Sequence, residues 1–176
     1  MKKNFRFLPL FAVLLLHAFC INAQSKASSG NYAALSNTAS ARSRQGMYLN
    51  DINIKAKRDF KNEYKDVSNE RWCISSEGII TARFELNGCT TVVYYEKSGK
   101  WTATLKNYTE NQLPFAIRDQ VKRKYYDFSI EVVDEVLTSL SNKTPTYIVH
   151  IRYKNHMKFI RINDDEMEVW KEFDVS

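Results

Sequence analysis

Apolar residues recur every four positions in two stretches of this chain. In DINIKAKRDFKNEYKDV, Ile52, Ala56, Phe60 and Tyr64 fall on one helical face. Asn50 or Asp51 is the expected cap. In LPFAIRDQVKRKYYDF, Leu113, Ile117, Val121 and Tyr125 repeat the pattern, and Pro114 suits the first helical turn. The ends of the two stretches match at an offset of 61: Phe60 with Val121, Tyr64 with Tyr125, Asp66 with Asp127, Val67 with Phe128. After each helix come short segments of alternating apolar and polar residues. The pattern predicts one α-β-β-β-β plan used twice, an α+β fold with each helix packed on an antiparallel sheet.

The turns fix the strand pairing in the first half. NERWCIS meets GIITARFEL through Ser76-Glu77-Gly78, and Asn87-Gly88 is a two-residue hairpin that pairs Leu86 with Cys89. The loop EKSGK brings Tyr95 opposite Trp101. A regular ladder then sets Trp72, Ile80, Ala82, Phe84, Leu86, Val93, Tyr95, Trp101, Ala103 and Leu105 on the core face. It sets Arg83, Val92, Tyr94, Thr102 and Thr104 on the other.

In the second half, Lys154-Asn155 matches Val149 with Ile160 and Tyr147 with Ile162. The acidic turn NDDE matches Ile162 with Met167 and Ile160 with Val169. The core face becomes Tyr147, Val149, Ile151, Ile160, Ile162, Met167 and Val169. Opposite it lie Ile148, His150, Arg152, Met157, Phe159, Arg161 and Trp170, an odd set for a solvated face. Contiguous apolar residues outside a core point to an interface, and aromatic and Arg residues anchor such interfaces. The candidate partner-binding residues are therefore Arg83, Tyr94, Thr102, His150, Arg152, Phe159, Arg161 and Trp170.

The start of the chain reads as a secretory signal peptide over residues 1–23: Lys2, Lys3 and Arg6, an uncharged apolar run, and a small residue at Ala23. The run is shorter than the ~20 residues of a spanning helix, so no stable membrane span is expected after cleavage. Residues 24–50, rich in Ser, Ala and Asn, read as a flexible leader. The folded part is expected over 51–174, as repeats 51–108 and 109–174. Export implies a periplasmic or secreted protein.

Charge changes little in this picture. The net charge of +6 includes three cations of the signal and no acid of it, leaving +3 dispersed among Asp and Glu. Nucleic acid is not an expected partner. Cys73 pairs with Thr81 and Cys89 with Leu86, ~17 Å apart along one strand, and a disulfide needs Cα atoms within ~7 Å. Two free thiols follow.

Catalytic and cofactor chemistry find no support. Glycine-rich phosphate loop, zinc spacing and nucleophile elbow are all missing; His150 and His156 are parted by a turn, with no third ligand near. Asp164, Asp165 and Glu166 lack calcium-loop spacing. NYT at 107–109 and NKT at 142–144 fit the glycosylation pattern without carrying further meaning. No enzyme, metal or cofactor is expected.

FKNEYKDVSNERW, GIITARFELNG, VVYYEKSGKW, the second helix and the closing FIRINDDEMEVW together resemble the PepSY-like proteins described as β-lactamase-inhibitor-like, small exported proteins of Gram-negative bacteria. The likeness covers about residues 51–173. Its marks are Trp72, Gly99 before Trp101, and Leu113-Pro114; Glu166 or Met167 stands where the family has glycine. The resemblance implies a tandem α–β repeat and a non-catalytic exported binding protein, with a peptidase or other hydrolase as the kind of protein bound. The alternative is a small-ligand or envelope-stress binding protein using a cleft between the repeats.

Overall fold

The computed structural model describes residues 51–141, 144–164 and 166–175. The signal peptide, the leader with Asn50, Asn142 and Lys143 of the NKT site, and Asp165 lie outside the described residues. Helix α1 (Ile54–Glu63) leads into β1 (Arg71–Ile74), β2 (Ile80–Leu86), β3 (Cys89–Tyr95) and β4 (Trp101–Tyr108). A 3-10 turn (Glu110–Gln112) and α2 (Phe115–Lys124) follow, then β5 (Ser129–Thr138), β6 (Thr146–Tyr153), β7 (His156–Asn163) and β8 (Glu166–Asp174). The strands form one eight-stranded antiparallel sheet in sequence order. The two predicted repeats are thus joined edge to edge through β4 and β5.

The repeat shows in the helix ends. Tyr64 and Tyr125 each close a helix, their N–H groups donating to Phe60 O and Val121 O at 2.8 Å. Lys61 Nζ donates to Val67 O at 2.9 Å, and Lys122 Nζ donates to Phe128 O at 2.7 Å. These pairs repeat at the offset of 61 seen in the sequence. A basic side chain closing back on a carbonyl just beyond its own helix satisfies an acceptor and favours the helix C-terminus.

The cap of α1 differs from expectation. Asn53, not Asn50 or Asp51, caps it: its side chain accepts from Lys55 N at 2.9 Å and donates to Lys97 O at 3.0 Å. The second bond ties the helix start to the β3–β4 loop. There Gly99 has φ +83°, and a Cβ would come within 2.8 Å of Asn53 Oδ1. Glycine at 99 is required by both conformation and space.

Each half has its own core on the helix side. Phe60 is fully buried among Ile52, Ala56, Ile80, Ala82, Phe84, Val93 and Tyr95. Its ring meets Trp72 and Phe84 edge-on at 5.2 and 5.4 Å. Burial of this size, with favourable ring geometry, makes Phe60 worth about 3–5 kcal/mol against alanine. The second core gathers Tyr108, Leu113, Val121, Ile130, Val133, Val149, Ile151, Ile160 and Ile162, flanked by Ile117, Tyr125, Tyr147 and Met167. Val169, expected inside, is 41% exposed on the outermost strand, and Leu86 is 43% exposed at a hairpin tip.

The predicted turns and registers hold apart from two irregularities, one in β4 and one in β8. Gly78, Asn87 and Gly88 take positive φ, and Cys73↔Thr81, Leu86↔Cys89, Val149↔Ile160 and Ile160↔Val169 pair as expected. Between Tyr94 and Tyr95, however, the ladder shifts. Tyr95 faces Trp101 but Tyr94 faces Ala103, leaving Thr102 as an extra residue. Its Oγ1 donates to Tyr94 O at 3.1 Å. A single bulge exchanges the faces of everything beyond it. Val93 therefore pairs with Thr104, so Thr104 turns inward and is buried, while Ala103 and Leu105 turn to the outer face. The regular ladder had these three the other way round.

Candidate interaction surface

The strip of sheet between the two cores is polar. Trp101 Nε1 donates to Thr104 Oγ1 at 3.0 Å, Lys106 Nζ meets Glu135 Oε1 at 2.9 Å, and Tyr108 donates to Glu135 Oε2 at 2.7 Å. Burial would lower the Lys106 pKa, but its bond to Glu135 holds it above the ordinary lysine value. Burial, then Glu135, push Tyr108 and Tyr147 up. These groups satisfy one another across the place where a cleft between repeats was expected. Hollows of about 280 and 340 Å3 lie elsewhere, at the β7–β8 ends beside Phe173 and at the β1–β2 turn beside Ser76.

On the opposite face, β6, β7 and β8 bring an aromatic group together. His150 stacks on Phe159 with centroids 4.0 Å apart and planes 15° from parallel. Phe173 meets Phe159 edge-on at 5.5 Å, and Trp170 lies 6.5 Å from it. His150 Nε2 faces Asp134 Oδ2 at 3.0 Å, and Asn107 Nδ2 donates to Asp134 Oδ1 at 2.8 Å. The almost buried carboxylate is thus satisfied at both oxygens and fixes the imidazole, which in turn fixes the Phe159 ring. Arg161 pairs with Glu168, and Lys171 Nζ sits 5.3 Å from the Phe173 ring centre. Arg152 lies at the rim, donating to Lys154 O at 3.0 Å.

Of the candidates named from sequence, His150, Phe159, Arg161 and Trp170 are therefore gathered, with Arg152 beside them. Arg83 and Tyr94 share the same face at its other end, on β2 and β3, while Thr102 is the bulged residue of β4 with no opposite position in the ladder. Tyr94 is buried and Thr102 half-buried, so Arg83 is the exposed member of that group. Ile148, Leu105 and Val136 are buried outer-face residues that neither helix-side core contains.

Phe173, Asp134, Asn107 and Arg71 were missed. Phe173 belongs to the core face of a regular β8; the shift that leaves Trp170 without an opposite residue turns it outward, opposite Met157. Arg71 was within reach, since Cys73 opposite Thr81 already places it opposite Arg83. Cys73 and Cys89 are not joined in a disulfide and lie on opposite faces, as expected. Among the described residues no three His, Cys, Asp or Glu side chains could hold a metal ion, and no helix is long and apolar enough to cross a membrane.

No family model and no curated protein matches the chain. Solved structures share its fold. A BLIP-like (β-lactamase-inhibitor-like) protein of Bacteroides fragilis is 15% identical with TM-score 0.55, over 69% of this chain and 84% of that one. A DUF2874 family protein of Bacteroides ovatus is 16% identical with TM-score 0.54, over 68% of this chain and 85% of that one. A protein of Bacteroides eggerthii provisionally described as periplasmic is also 16% identical with TM-score 0.54, over 69% and 88%. At these identities the likeness is one of fold: α+β, with two helices and an eight-stranded antiparallel sheet.

Proposed function

We propose that this chain is a non-catalytic exported module, PepSY-like in family, that binds a protein of the cell envelope or the extracellular space, in the manner of an inhibitor of a peptidase or other hydrolase. The observation that carries the reading is the outer-face group of His150, Phe159, Trp170 and Phe173, rings held in fixed geometry on a sheet face and rimmed by Arg152, Arg161 and Lys171. Rigid aromatic and Arg residues supply contact area at low entropic cost. The fold of a BLIP-like protein and of a protein provisionally described as periplasmic supports export and binding.

The test is capture of a partner by the immobilised protein from envelope extract. Phe159→Asp and Trp170→Asp are expected to melt within a few degrees of the wild type while losing at least tenfold in affinity, the ~1.4 kcal/mol or more of an anchor residue. Capture unchanged by both variants would remove this face as the binding surface.

A further inference from the structure

Arg71 and Arg83 stand directly opposite each other across β1 and β2. They point to the outer face, because their neighbours Trp72 and Ala82 turn into the helix-side core. Both are exposed. Among the described residues neither guanidinium has an ion-pair or hydrogen-bond partner, not even Glu85 two places along β2. Like charges directly opposite each other weaken a ladder. A local choice that works against the fold, with no compensation in the fold, marks a position shaped by binding.

We propose that Arg71 and Arg83 form a clamp for an Asp or Glu carboxylate of the protein bound on the outer face. The inference rests on the protein-binding reading and adds the chemistry that the partner presents. Each guanidinium offers a planar fork of donors matched to a carboxylate. One carboxylate between two of them removes their mutual repulsion and makes charge-assisted bonds to both. Next in the same cross-strand row comes Val92, half-buried and apolar. The partner therefore presents an acidic residue with an apolar neighbour. A phosphate polymer fits less well, since its affinity grows with the number of cations that meet it. Here the row runs from two arginines into Val92, Leu105 and Val136, and residues 51–176 hold twenty cationic and twenty acidic side chains.

The experiment titrates the 15N-labelled protein with acetyl-Val-Glu-Val-amide and reads the Nε–Hε signals of Arg71 and Arg83. Both signals are expected to move together and saturate in the millimolar range, with no change on adding acetyl-Val-Gln-Val-amide. Arg71→Gln or Arg83→Gln is expected to weaken binding at least tenfold. Arg83→Glu is expected to raise the melting temperature, by placing opposite charges across the ladder, while abolishing peptide binding. Silence on adding the Glu peptide, an equal response to the Gln peptide, or saturation by inorganic phosphate or a single-stranded oligonucleotide at lower concentration would overturn the clamp. So would a loss of stability in Arg83→Glu, which would make the pair structural. The Trp170 indole signal and partner capture report separately on the aromatic group, so failure at the arginines alone would leave the protein-binding reading standing.

Discussion

Among the described residues Tyr95 is the largest fully buried side chain, and its hydroxyl finds no hydrogen-bond partner there. Burial first, then the nearby Asp59 charge, push its pKa well above the ordinary 10.0; burial does the same to Tyr64 and Tyr108. The sign follows from linkage. A folded pKa raised above the unfolded one gives stability that is complete below about pH 10 and is lost as pH rises further, because the unfolded phenol ionises first. Thermal melts are expected to be flat from neutral pH to about 9 and to fall beyond 10. Tyr95→Phe removes an unsatisfied buried hydroxyl, so it is expected to match or exceed wild-type stability at pH 7, by up to ~1 kcal/mol, and to lose less above pH 10. A loss of 2 kcal/mol or more at pH 7 would show that the hydroxyl is satisfied in solution.

At the scale of elements, the offset of 61 turns from a pattern into shared chemistry. If Lys61 and Lys122 perform one task twice, Lys61→Met and Lys122→Met are each expected to cost about 1 kcal/mol in urea unfolding, the worth of one side-chain bond to a backbone acceptor. A cost from only one of them would break the equivalence of the repeats. The elements themselves were largely legible: four-residue apolar spacing fixed both helix faces, and Gly78, Asn87-Gly88 and Lys154-Asn155 fixed three turns, hence most registers. The bulges were not. Nothing in YYEKSGKWTATL distinguishes Thr102 as an extra residue, because a bulge is chosen by how both flanking faces pack and not by local preference. That one residue moved Ala103, Thr104 and Leu105 to faces opposite those expected. A second irregularity, at Trp170, turned Phe173 into the aromatic group. Side-chain partnerships such as Asn107–Asp134–His150 span three strands and follow only from a correct register.

For the whole molecule, the decisive feature is that two helix-covered cores share one uninterrupted sheet. Among the described residues both helices lie on one side, and the strip between the cores is occupied by Lys106, Glu135, Tyr108 and Thr104. The other side carries Arg71 and Arg83 at one end and the His150–Phe159–Trp170–Phe173 group at the other. A protein partner spanning that face could engage both ends at once, which a small ligand could not. Site-specific photo-crosslinking in living cells tests this most directly, with the crosslinking residue placed in turn at 83, at 159 and, on the helix side, at Tyr126, which is 78% exposed. One and the same protein is expected to be joined from positions 83 and 159, and none from 126. A partner joined from 126 instead, or different proteins from 83 and 159, would rule out a single protein bound across the outer face.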